Sequence, residues 1–133
     1  MNTMRSLRYF FLFTDIGFIL YWTVTLFGLL PAQYLYNDYT DPFMVNWNWS
    51  FFPLDMLVSG TGLYSIRLAA RGSAQWRPWA LVSLVLTTAS GLQAIAYWSV
   101  AGDFNPTWWL PNVFLMIYPL LFIRRIMTDW EKR

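Results

Sequence analysis

Four apolar stretches, about 7–30, 49–70, 78–100 and 107–127, take up nearly all of this 133-residue chain. A membrane helix needs about 20 mostly apolar residues, so each stretch is long enough to cross a bilayer and the remainder suffices only for short connections. Composition agrees, with 57 % hydrophobic and 12 % charged residues, where soluble domains carry about a quarter charged. The expected architecture is an all-α integral membrane four-helix bundle, one transmembrane domain over residues 1–133. The apolar run after Arg8 is too long for a signal-peptide core and has no small-residue cleavage site, so it reads as an uncleaved first span.

The connections carry the topology. Arg5, Arg8, Arg67, Arg71, Arg77, Arg124, Arg125, Lys132 and Arg133, all nine basic residues, fall on one side when four helices are threaded, and Asp38, Asp41 and Asp103 on the other. Basic flanks stay cytoplasmic, which places both termini there. Residues 31–48 hold Asn37, Asp38, Asp41 and Pro42 among Tyr34, Tyr36, Tyr39 and Trp47, and read as an extracytoplasmic amphipathic loop at the interface, part of an aromatic belt. Pro53 lies in the first turns of the second span, where proline is tolerated. Asn48-Trp49-Ser50 matches a glycosylation signal in letters only, being too close to the membrane.

The absence of histidine and cysteine removes disulfides, thiolate chemistry and the usual ligands of haem, zinc and copper, so no cofactor and no metal is expected. Only carboxylates and tyrosines are left to move protons, and no motif fixes a nucleophile, which makes an enzyme the least favoured class. The basic residues sit at span ends rather than on a soluble face, so nucleic acid is not a partner.

Carboxylates inside a span cost roughly 2.5–3.5 kcal/mol or more near its centre, and each needs a reason. Counting about 1.5 Å per residue puts Asp15 about 10 Å in from the cytoplasmic edge and Asp55 about 8–9 Å in from the opposite edge. Asp15 is read as half of a structural ion pair with Arg67, whose long side chain can reach inward. At the depth of Asp55 lie Thr25 on the first helix, Gln93 and Tyr97 on the third and Asn112 on the fourth. That layer either lines a pocket or stitches the helices together. The small residues at 59–62 and 87–91 suggest a tight contact between the second and third helices.

Tyr39-Thr40-Asp41-Pro42-Phe43, Trp47-x-x-Ser50-Phe51-x-x-x-Asp55, Gly72-Ser73-x-x-Trp76 and Thr87-Thr88 resemble the pattern of the EXPERA superfamily, four-helix membrane proteins that include the sigma-2 receptor and the emopamil-binding sterol isomerase. The chain as a whole also resembles a small uncharacterised bacterial four-span family, the YvaD-like proteins, which implies the bacterial cytoplasmic membrane. The EXPERA likeness implies that Asp41 and Asp55 stand near a ligand cavity. The first-helix acid of the sigma-2 receptor falls at Thr25, and the isomerase histidine has no counterpart, so the likeness implies binding rather than isomerisation.

The leading expectation is a multi-pass protein that binds a lipid-like or cationic amphiphilic molecule in an intramembrane pocket on the outer half, lined by Asp55, Asp41, Thr25, Gln93, Tyr97 and Asn112. The alternatives are a small proton-coupled transporter using Asp15, or an accessory subunit of a larger membrane complex. Membrane lipids, a small-molecule ligand, and a second copy or a larger complex are the partners these readings imply.

Overall fold

The computed structural model describes residues 2–35 and 39–132; Tyr36, Asn37 and Asp38 of the expected outer loop, and Arg133 of the tail, lie outside them. The elements of the described chain are all helices: α1 (Asn2–Phe27), α2 (Pro42–Ser50), α3 (Phe52–Ala70), α4 (Trp76–Ala101), α5 (Pro106–Glu131) and a 3-10 turn at Ala32–Tyr34. Three stretches, Thr3–Phe27, Trp76–Ala101 and Pro106–Glu131, are long and apolar enough to cross a membrane, which points to a membrane protein. The nineteen-residue α3 is not among them; Asp55, Arg67 and a run of serine, threonine and glycine dilute its apolar residues.

Local chemistry sets the helix ends. Asp41 caps α2 by accepting from the Phe43 backbone N–H at 2.9 Å, with Pro42 in the first turn. Asn105 and Pro106 start α5 the same way, Asn105 Oδ1 accepting from Thr107 N at 2.9 Å. A side-chain acceptor followed by proline satisfies one orphan donor and removes another. The expected interfacial loop at 31–48 is corrected here: its last seven residues, 42–48, form most of α2. Asp41-Pro42 works as a helix start, not as a breaker. Between α3 and α4 the chain turns at Gly72, whose φ of 73° is left-handed, and Ser73 N–H returns to Leu68 C=O at 3.0 Å.

Thr3 Oγ1 donates to Asp129 Oδ2 at 3.0 Å and Ser65 Oγ to Trp76 C=O at 2.9 Å, so the start of α1, the turn between α3 and α4 and the end of α5 share one end of the molecule. Met4, Leu7, Phe11, Trp76, Ala80, Leu84, Tyr118, Phe122 and Ile126 form the core that runs from that end. The opposite end is aromatic, with Met44, Ala94 and Trp98 packed against Trp47, Phe51, Tyr97, Trp108 and Trp109.

Between the two, hydroxyls on one helix donate to backbone carbonyls of the next: Ser59 to Asp15 at 2.9 Å, Ser83 to Val58 at 3.0 Å and Thr88 to Met116 at 3.3 Å. Such bonds are short-range stitches available to small polar residues where helices approach closely. The expected tight contact between the second and third spans is present, and a further close approach joins α4 to α5. A Cβ on Gly91 would stand 2.6 Å from the Asn112 carbonyl oxygen and 2.7 Å from Met116 N, so that glycine admits α5, while Gly62 faces Asp15 on α1 and Ser83 on α4.

Candidate functional site

At the aromatic end the helices enclose a cavity of about 410 Å³. Every described segment of the bundle contributes to its wall: Phe18, Tyr21 and Trp22 from α1, Trp47 and Asn48 from α2, Asp55 from α3, Ser90, Ala94 and Trp98 from α4, and Trp108, Asn112 and Leu115 from α5. Tyr34 and Leu35 close it from the connection after α1. The wall is mostly apolar and aromatic with a few convergent polar groups, the usual make-up of a small-molecule site.

Asp55 is buried there, and both carboxylate oxygens accept hydrogen bonds. Trp22 Nε1 donates to Oδ2 at 3.0 Å and Ser90 Oγ to Oδ1 at 3.2 Å. The carboxylate thereby fastens α1 and α4 to α3. Asn48, also buried, accepts from Tyr21 Oη at 2.8 Å through Oδ1, but its Nδ2 has no partner among the described residues. The indole Nε1 of Trp108 is likewise buried without a partner. Two cavity-lining side chains thus hold N–H donors that no described residue matches, whereas buried polar groups are normally bonded.

Of the six residues expected to form one site, the structure brings Asp55 and Asn112 to the cavity wall, with Asn112 Nδ2 donating to Trp108 C=O at 2.7 Å. Tyr97 stands behind the wall, stacked on Trp47 at a centroid distance of 4.4 Å and donating to Met44 Sδ at 3.0 Å. The other three are corrected. Asp41 is exposed and caps α2, Gln93 is exposed, and Thr25 donates to the Tyr21 carbonyl of its own helix at 2.7 Å. Depth counting finds the level of a residue but not its bearing around the helix. On α4 the inward stripe is Thr87, Ser90, Gly91, Ala94 and Trp98, all buried, and Gln93 lies one residue, about 100°, off it.

Trp22, Asn48, Ser90 and Trp108 escaped the sequence reading. Ser90 could have been found from the small residues at 87–91 that contain it. Asn48 stood only in the glycosylation-like tripeptide, and nothing distinguishes Trp22 or Trp108 from the chain's other tryptophans.

Asp15 is fully buried and forms no ion pair with Arg67, which is exposed. Neither of its carboxylate oxygens has a hydrogen-bond partner among the described residues. The carboxyl occupies the space that a side chain at Gly62 would take, and Ser83 Oγ would stand 3.0 Å from that added carbon. The nearby hydroxyls are already spent: Ser59 on the Asp15 carbonyl, Ser83 on the Val58 carbonyl, and Thr14 bonded with Tyr118 Oη at 2.9 Å. The expected pair fails because an arginine at the end of α3 gains more by remaining in solvent than by entering a layer closed by packing.

Comparison with known proteins returns relatives of matching size and no activity. Residues 7–133 match a family described as "Family of unknown function (DUF5360)". The "Uncharacterized protein YvaD" of Bacillus subtilis (strain 168) is 52 % identical over 129 residues, covering 97 % of each chain. No solved structure matches.

Proposed function

This chain belongs to that family, DUF5360, and from that premise we propose that it is a four-span protein of the bacterial cytoplasmic membrane that binds a lipid-like molecule in the cavity beside Asp55. In this reading α3 is the fourth span, accommodated despite its polar residues because its neighbours cover them, and the arginine-bearing end is cytoplasmic. The cavity then opens in the outer half.

The observation that carries the reading is the mismatch of donors and acceptors. Each Asp55 oxygen already accepts one bond, while Asn48 Nδ2 and Trp108 Nε1 have no acceptor among the described residues. A ligand carbonyl, ester or ether oxygen satisfies those donors; an ammonium does not. Of the two ligand types the sequence suggests, the neutral lipid-like molecule therefore fits better than the cationic amphiphile. The EXPERA-like pattern adds support at Asp55 and none at Asp41.

The test is thermal stabilisation in mild detergent by a panel of carbonyl-bearing apolar compounds and amphiphilic amines. Carbonyl compounds are expected to raise the midpoint of the wild type and to lose that effect in Trp108→Phe and Asn48→Leu, with amines inactive in all. If no compound of either class stabilises the protein, the binding reading gives way to an accessory subunit.

Asp15 supports a second reading, a proton-coupled transporter, since an unpartnered carboxyl in a helix bundle is a functional candidate by default. Reconstituted vesicles whose imposed pH gradient collapses equally fast with wild type and Asp15→Asn would remove it.

A further inference from the structure

At the arginine-bearing end a second hollow, a cleft of about 930 Å³, lies between the start of α4 and the end of α5, with Thr3 of α1 on its rim. Its walls carry Arg77, Arg124, Arg125 and Lys132 against one acid, Asp129, and that acid already accepts from Thr3. Leu121, Ile126 and Trp76 give the same cleft an apolar flank.

Arg77 is the unusual member. It is only 8 % exposed, and its guanidinium carbon lies 5.0 Å over the Trp76 ring. Among the described residues no carboxylate and no carbonyl pairs with it, although a buried guanidinium is normally matched by an anion. The backbone adds no donor of its own for an anion there: the Trp76 and Arg77 N–H groups already donate to the Ser73 and Ala74 carbonyls at 3.3 and 3.2 Å, and Pro78 has no N–H. The start of α4 contributes only the positive end of its dipole. What the cleft lacks is an anion, and the planar donor fork of arginine matches the oxygens of a phosphate.

We propose that this cleft is a binding site for a phosphate-bearing anion, with Arg77 as the buried anchor and Arg124, Arg125 and Lys132 as its outer clamp. The apolar flank beside the cations makes the headgroup of an anionic phospholipid the favoured source, its acyl chain lying along Leu121 and Ile126. The site is at the opposite end of the bundle from Asp55 and does not depend on what the outer cavity binds.

The experiment uses the full chain in mild detergent and measures affinity for phosphatidylglycerol, phosphatidylcholine and inorganic phosphate by native mass spectrometry and thermal shift. Phosphatidylglycerol is expected to bind wild type selectively over phosphatidylcholine. Arg77→Gln is expected to weaken it about tenfold or more, the scale of one charge-assisted hydrogen bond. Because Arg77 is buried, the exposed pair Arg124→Gln/Arg125→Gln serves as the independent variant and is expected to weaken binding as well while the melting midpoint without lipid stays put. Stabilisation by inorganic phosphate alone, lost in the same variants, would keep the site and make its ligand a soluble phosphate. Equal binding of the two lipids with no response to phosphate, or full retention of phosphatidylglycerol selectivity in the Arg124/Arg125 variant, would overturn the proposal.

Discussion

Asp15 and Asp55 are the same side chain, both buried in the bundle, and their surroundings are opposite. Asp55 stands beside open volume and has a donor on each oxygen, from Trp22 and Ser90. Asp15 stands in a layer with no room to spare and has none among the described residues. The difference lies in what the neighbours do with their hydroxyls. Around Asp15, Ser59 and Ser83 are committed to backbone carbonyls, which draws α1, α3 and α4 together until only glycine fits at position 62. Around Asp55 large rings hold the helices apart, Trp22 against Trp49 and Phe52 at 5.1 and 5.3 Å, Trp47 against Trp98 at 5.5 Å, and the space between them is the cavity. A bundle tied by small residues closes over its polar groups; one propped by aromatics leaves them accessible.

The sharpest way to break this contrast is at Gly62. Alanine there places a methyl onto the Asp15 carboxyl, and overpacking of that kind costs about 1–3 kcal/mol or more. Thermal denaturation in detergent should show a large loss for Gly62→Ala, and most of it should return in Gly62→Ala/Asp15→Ala, since the obstacle is a side chain. A loss unchanged by the second substitution would mean that the layer is not closed over Asp15.

A smaller effect is expected at the other carboxylate. Asp55→Leu removes the acceptor for both Trp22 and Ser90 and should cost about 1–3 kcal/mol, the desolvation of donors left unmatched. The cavity gives leucine space, so no clash adds to it. A Ser90→Ala change made in the Asp55→Leu background should then cost much less than in the wild type. Equal cost in both backgrounds would show that Asp55 does not hold α4.

The smallest effect belongs to Asp15→Asn, which keeps the side chain's volume and removes no hydrogen bond among the described residues: about 1 kcal/mol or less is expected. Combined with Arg67→Gln the effects should add within about 0.5 kcal/mol. Coupling between the two positions, read from the same melts, would restore the ion pair that the structure lacks.

Much of the architecture was legible in the residue order, because the burial of long apolar runs and the clustering of arginines at their ends follow from chain composition without reference to neighbours. Three membrane-length helices and the basic residues of α1, α3, α4 and α5 brought to one end were both of this kind. The start of α2 was written there too, in Asp41-Pro42, though polarity made it look like a loop. What only the tertiary structure decided was azimuth and partnership. Whether Gln93 or Ser90 meets Asp55 depends on a rotation of about 100° per residue that depth cannot report. Whether Asp15 finds Arg67 depends on hydroxyls from two other helices that reach backbone carbonyls first. Which donors are left unmatched among the described residues, Asn48 Nδ2 and Trp108 Nε1 at the aromatic end, and which arginine lines the cleft at the other, are properties of all the helices together. A hydrogen bond needs both partners within about 3 Å, and only packing sets that distance.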